Sequence, residues 1–311
     1  MGERSIRIRV PGTSANCGPG FDSLGLACTV YNELTLSLTH EPRLDIKVTG
    51  EGAADIPVDE RNMVWRSVQY LLEQAQEEDH FQGCIMRMEN HIPLSRGLGS
   101  SAAAIVAGLR AANVLIDNRF NRREIMQFAT ELEGHPDNVG PAIFGGFTVS
   151  IVNNGKVDTC SFLPKVKLKL VAAVPDFPLD TKLARQALPE VIPFKDAVFN
   201  VGHASMLVAA LCRGNERYLR HSLTDAMHQN YRAKLIPGLQ EVFRMARYAG
   251  ALGAVISGAG PTILAFVLER DQCASAVADA MVAGFAQNGV KANALVLDVD
   301  TKGAHIVNEW T

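Results

Sequence analysis

The segment Pro93-Leu94-Ser95-Arg96-Gly97-Leu98-Gly99-Ser100-Ser101-Ala102-Ala103 sets glycines where a backbone must pass close to a ligand, then small hydroxyl residues where a helix begins. Free amide hydrogens and the positive end of that helix would converge on one point, an arrangement suited to a polyphosphate. The hydroxyl of Ser100 or of Ser101 could also reach a phosphate-bound Mg²⁺. The Walker pattern G-x-x-x-x-G-K-[ST] is absent, because no lysine follows the second glycine, and so is G-x-G-x-x-G in a Rossmann setting. Taken alone, the loop is consistent with phosphate binding and with a Gly-rich helix entry that holds no ligand.

Such a loop needs a strand to lead into it and a helix to leave it, and the flanking periodicity supplies both. Residues 83–89 read as a strand and residues 101–116 as an Ala-rich helix. Upstream, Ile6, Ile8 and Val10, then Leu34, Leu36 and Leu38, then Leu44, Ile46 and Val48 repeat a period of two, the mark of half-buried antiparallel strands. Val64, Val68, Leu71, Leu72 and Ala75 share one stripe of a helix over 62–78. Ile125, Phe128, Ala129 and Leu132 share a face of a helix over 122–133, and residues 146–151 read as a strand closing an α+β unit. Composition turns Pro- and Lys-rich over 162–169, which sets the expected boundary between a domain over 1–164 and one over 165–311. Beyond it come a strand over 170–174, several helices between 181 and 249, strands over 254–257 and 263–268, a helix over 272–287 and a strand over 294–298. That order suits a split β-α-β module.

The chain's 311 residues, 47% hydrophobic and 20% charged, suffice for two cores of ordinary domain size. A net charge of -3 with scattered basic residues provides no field for polyanions, so no nucleic acid partner is expected. The six cysteines stand apart, with no C-x-x-C pair to suggest a metal or disulfide framework, which fits a reducing cytoplasm. Residues 249–268 carry no charge, but their glycines, Ser257 and Pro261 argue for two buried strands joined by a turn rather than a membrane helix.

The loop at 93–103 resembles the phosphate-binding signature of the GHMP kinases, the family of galacto-, homoserine, mevalonate and phosphomevalonate kinases. Pro11-Gly12-Thr13-Ser14-Ala15-Asn16-Cys17-Gly18-Pro19-Gly20-Phe21-Asp22 is similar to the amino-terminal substrate motif of the members that act on homoserine. Ser257-Gly258-Ala259-Gly260-Pro261-Thr262 is similar to the family's third, Gly-rich motif, and Glu133-Gly134-His135-Pro136-Asp137-Asn138-Val139 also matches. These segments occur in family order across nearly the whole chain. The resemblance implies an α+β, two-domain fold: an N-terminal ATP-binding domain, a C-terminal ferredoxin-like split β-α-β domain, and an active site in the cleft between them. It also implies an enzyme that uses ATP and Mg²⁺ to phosphorylate the side-chain hydroxyl of L-homoserine on the route to threonine; many small metabolic kinases are dimers, so a homodimer is the expected assembly. The alternatives are a relative acting on another small alcohol and an inactive binding protein of the same fold.

The same resemblance distributes roles. Asn16 and Asp22 are expected at the ammonium and hydroxyl end of the amino acid, Arg185 and Arg232 at its carboxylate, and Thr181, Gly258, His135, Asp137 and Asn138 around it. Of these, Asp137, Asn138 and Arg185 fall at positions that could act on the reacting groups, although phosphoryl transfer needs no obligatory base when position and charge neutralisation suffice. Asn62 matches a base-contacting position, and could equally cap the following helix. Glu133 matches the metal carboxylate, with Glu131 as rival. Two positions apart on a helix, those glutamates point to different faces, so at most one reaches the metal.

Overall fold

The computed structural model describes residues 4–310. β1 (Ser5–Ala15), β2 (Leu24–Thr39) and β3 (Leu44–Gly50) lead into α1 (Met63–Ala75), β4 (Gly83–Asn90) and α2 (Ser100–Leu115). Then follow α3 (Arg122–Glu133), α4 (Pro136–Phe144), β5 (Phe147–Asn153), β6 (Lys156–Phe162) and β7 (Leu168–Pro175). α5 (Thr181–Gln186), α6 (Phe194–Arg213), α7 (Glu216–Ser222), α8 (Gln229–Arg232) and α9 (Leu239–Tyr248) precede β8 (Gly253–Ile256) and β9 (Ile263–Leu268). α10 (Ala274–Ala286), β10 (Ala292–Asp298) and β11 (His305–Trp310) end the chain.

The period-two segments build a seven-stranded sheet ordered β11-β1-β2-β4-β3, with β5 on β2 and β6 on β5. Its register sets Ile6 across from Leu36, Ile8 across from Leu34 and Leu36 across from Met86, so one face is a continuous apolar layer. The predicted stripe of α1 (Val64, Val68, Leu71, Leu72) and the buried face of α2 (Ile105, Val106, Leu109) cover it. Each such side chain contributes about 1.5–3 kcal/mol on full burial.

The second sheet runs β10-β7-β9-β8 with every neighbouring pair antiparallel. In chain order that is strand four, one, three, two, the ferredoxin-like arrangement expected of the split β-α-β module. Alternation again divides the faces. Leu170, Ala172, Leu264 and Phe266 join the core of the first sheet, while Val171, Ala173, Ile263 and Ala265 pack with Val242, Val277, Met281 and Phe285 of α9 and α10. Residues 249–268 lie largely in β8, β9 and their connecting turn, and among the described residues no helix is long and apolar enough to cross a membrane.

The structure departs from the sequence reading at four elements. β3 pairs with β4 in parallel, not antiparallel, because α1 forms a crossover between them. β6 and β11 went unread: both are edge strands with mostly exposed side chains, so they are held by backbone pairing and show no apolar alternation. β11 pairs with β1, so the end of the expected 165–311 domain returns to the first sheet. His135, Asp137 and Asn138 sit at the start of α4, a helix that the sequence reading did not include. Pro136 occupies its first turn, where a missing N–H is harmless. Pro141 within the helix leaves the Asp137 carbonyl without its amide, and that carbonyl lies against Gly25, where a Cβ would sit 1.9 Å from it.

Candidate active site

Three loops converge on one cavity of about 440 Å³ between the two sheets. The loop before α2 is held by its carbonyls and by Arg96, whose Nε donates to the Pro175 carbonyl at 3.1 Å. Ser95 accepts from the Leu179 amide at 3.3 Å and Arg96 from the Thr262 amide at 3.2 Å. Gly97 accepts from Ser257 Oγ at 2.6 Å, and Leu98 accepts from the Thr13 amide at 3.0 Å. With the carbonyls of residues 95–98 turned outward, the amides of residues 97–102 find no acceptor among the described residues. Gly97 and Gly99 have φ of +80° and +71°; a Cβ there would come within 2.4 Å of the Ser257 carbonyl and 2.0 Å of Thr13 Oγ1. Glycine is thus required for the loop to nest between the first and third motifs. α2 then starts at Gly99 with no side-chain cap, leaving its first N–H groups and its positive end for a ligand.

At the end of α3, Glu133 accepts a 2.8 Å hydrogen bond from Ser101 Oγ and lines the cavity. Burial pushes its carboxyl above the usual range, against the pull of Ser101. Glu131 faces elsewhere, held by the Tyr70 hydroxyl at 2.5 Å and Gln127 at 2.7 Å. At the start of α4, His135 Nδ1 lies 2.7 Å from Asp137 Oδ1, and Asn138 accepts from Thr13 Oγ1 at 2.8 Å. Burial opposes protonation of His135, but the hydrogen bond and charge of Asp137 outweigh it, so its pKa is raised.

Arg185 grips Asp22 with two 2.9 Å hydrogen bonds. Arg232 is only 2% exposed and has no carboxylate within salt-bridge distance among the described residues. Its Nη1 donates to the Gly258 carbonyl at 3.0 Å and to His228 Nδ1 at 3.3 Å, and its Nε to the Ala184 carbonyl at 3.3 Å. Burial pushes its pKa down to about 10, and the like charge of Arg185 adds to the effect. Both guanidinium carbons lie over the Phe21 ring, at 5.6 and 5.4 Å from its centroid.

Asn16, at φ +67°, donates to the Gly258 carbonyl at 2.8 Å and accepts from the Asp22 amide at 3.0 Å, tying the first motif to the third. Asn62 caps α1, accepting from the Val64 amide at 2.9 Å and donating to the Pro57 carbonyl at 2.7 Å, so its side chain is committed to the fold. Thr181, Leu94, Ser95, Arg96, Ser100 and Ala103 join the cavity wall, whereas Pro93, Leu98 and Ala102 support the loop from behind. Sequence reasoning missed His228, and it missed Asn90. Asn90 is 3% exposed at the end of β4, lines the cavity, and makes no side-chain hydrogen bond among the described residues. The only signal for either was a polar residue at a position the fold then buries.

Two family models match the chain: GHMP kinases N terminal domain over residues 62–146 and GHMP kinases C terminal over residues 207–287. Fold and cleft together define an ATP-dependent small-molecule kinase of the GHMP class. A homoserine kinase of Desulfitobacterium hafniense is 41% identical over 302 residues, covering 97% of this chain and 100% of that protein. One from Gloeobacter violaceus is 46% identical over 276 residues, covering 88% and 91%. The crystal structure of homoserine kinase from Cytophaga hutchinsonii matches with a TM-score of 0.88 at 32% identity, over 97% of both chains. The chain belongs to the homoserine kinases.

The residues present fit what that class uses. Unpartnered amides at the start of α2 suit the phosphates of ATP. Glu133 and the Ser101 hydroxyl it accepts from set two hard oxygen atoms side by side at the cavity wall, the donor type that Mg²⁺ takes.

Proposed function

We propose that the chain transfers the γ-phosphoryl group of ATP to the side-chain hydroxyl of L-homoserine, through the residue roles that follow. The single observation that carries these roles is the Arg232 guanidinium. It is buried without an anionic partner in the same cavity as the amide nest, and its Nη2 edge is unused by the protein. A buried cation of this kind calls for an anion, and the substrate carboxylate supplies one.

The amides of residues 97–102 hold the phosphates, and Asn90 offers its free carboxamide to the base, since Asn62 is occupied as a cap. Arg232, with Arg185 beside it, anchors the carboxylate; Asp22 and Asn16 face the ammonium. His135 and Asp137 border the hydroxyl, with Thr181 and Gly258 closing the same end. Mg²⁺, held by Glu133 and by Ser101 or Ser100, would neutralise the charge that develops on the phosphoryl oxygens. Position and charge then carry the transfer, with no obligatory base on this chain. The six free cysteines suit a cytoplasmic setting, and a homodimer is the assembly we expect, to be read by light scattering.

The experiment is a substrate panel at saturating Mg-ATP, reading ADP release from the wild type and from Arg232→Met. The wild type should turn over homoserine and neither mevalonate nor galactose. The variant should raise the homoserine KM by on the order of 10²-fold, as expected for losing a charged hydrogen-bond partner, while leaving the ATP KM within about twofold. Turnover of mevalonate or a sugar but not homoserine would sink the reading.

A further inference from the structure

Behind Arg232 lies a buried polar cluster that none of the roles above uses. Asp225, 5% exposed, accepts from the amides of Met227 at 3.0 Å, His228 at 2.9 Å and Gln229 at 2.7 Å. Asn200 of α6 donates to the same carboxylate at 2.9 Å and to the Pro19 carbonyl at 3.1 Å. These bonds fix the turn that carries His228, whose ring is 0% exposed and lies 5.3 Å from Phe21, centroid to centroid. His228 Nε2 is 2.8 Å from the Gly18 carbonyl, and Nδ1 is 3.3 Å from Arg232 Nη1.

Those two contacts leave one protonation state. A carbonyl only accepts, so Nε2 carries the proton, and a guanidinium only donates, so Nδ1 must be bare. We propose that His228 is a positioning residue: locked as the neutral Nε2–H tautomer, it accepts from Arg232 Nη1 and so turns the Nη2 edge of the guanidinium into the substrate cavity. The remaining bonds from Arg232 go to two backbone carbonyls, Ala184 and Gly258, which leaves Nη2 with both of its N–H donors free. His228 thereby couples the glycine turn of the first motif to the carboxylate anchor without touching the substrate.

The inference rests on Arg232 as the carboxylate anchor, and its test separates the two. Asparagine places an amide oxygen near the position of Nδ1, whereas glutamine places its amide near Nε2. His228→Asn therefore keeps the acceptor for Arg232, and His228→Gln keeps only the bond to Gly18. The homoserine KM is expected to rise about tenfold or more in His228→Gln and by less than about threefold in His228→Asn, with the ATP KM within about twofold in both. ¹⁵N-histidine NMR of the wild type, assigned by the resonance lost in the variants, should show Nε2 protonated and Nδ1 bare across neutral pH. Equal effects of the two variants, parallel rises in both KM values, or a protonated Nδ1 would each overturn the proposal. If neither variant folds, the Nδ1 resonance that shifts in Arg232→Met identifies His228, and its protonation in the wild type decides the proposal. Should Arg232→Met leave the homoserine KM unchanged, the anchor reading fails instead, while the tautomer still reports on the His228–Arg232 contact.

Discussion

Glu133 is half-buried beside Ser101, and burial raises its carboxyl pKa. A group whose folded pKa lies above its unfolded value adds stability below the unfolded pKa, and that stability is lost as pH rises through the folded pKa. Above that folded pKa the ligand-free protein therefore carries an ionised carboxylate that its own fold disfavours. Glu133→Gln should raise the ligand-free melting temperature by on the order of 2 °C while lowering kcat by about 10²-fold or more, the usual opposition between stability and function. A lower midpoint with full activity would contradict both halves. Asp137→Asn tests the absent base. A true base contributes about 10²–10⁴-fold, so a kcat loss below about 10²-fold with a raised homoserine KM is expected. Abolished turnover at unchanged affinity would refute the positional account. The choice between Glu133 and Glu131 was half legible from helix spacing, which allowed only one to face the cavity; Tyr70, distant in sequence, and Gln127, one turn earlier on α3, settle the direction of the other. His228 was illegible because Gly18 meets it only after folding, and its four-residue spacing from Arg232 carries no signal by itself.

Among the elements, the loop-helix junction before α2 does most to shape the cleft. Gly99→Ala would place a methyl group 2.0 Å from Thr13 Oγ1 at a φ of +71°, a backbone that L side chains rarely adopt. Such strain costs about 1–3 kcal/mol, and the amide nest would shift with it. The variant is expected to melt several degrees lower and to raise the ATP KM more than the homoserine KM, measured by thermal melt and ADP release. A change confined to homoserine would show that the loop does not hold the nucleotide. Elements with an apolar rhythm were readable in advance: β1, β4, α1, α3 and β9 fall within a few residues of expectation. β6 and β11 were not, since an exposed edge strand leaves no pattern in its side chains. α4 hid behind Pro136, Gly140 and Pro141, which spell a turn until the first proline is seen to occupy the one helical position that tolerates it.

At the scale of the molecule, the two sheets share one core, and the chain closes on itself when β11 pairs with β1. The two-domain order was legible in the order of the motifs, but this return was not, because it depends on backbone pairing and on the Arg4–Glu309 ion pair, neither of which leaves an apolar rhythm. Deleting residues 304–311 should expose the β1 edge, lower the melting temperature and increase light scattering on heating. Unchanged melting and scattering would show that β11 is dispensable. What the fold accomplishes as a whole is to bring an amide nest on α2 and a buried arginine on α8 into one cavity. The most direct test compares kcat/KM for L-homoserine with that for 3-aminopropan-1-ol, the same alcohol without its carboxylate, at saturating Mg-ATP. A site built to pair a charged group rejects the analogue that lacks it, so a drop of at least about 10³-fold is predicted. Equal turnover of the two alcohols, or no ADP release with homoserine, would contradict the account.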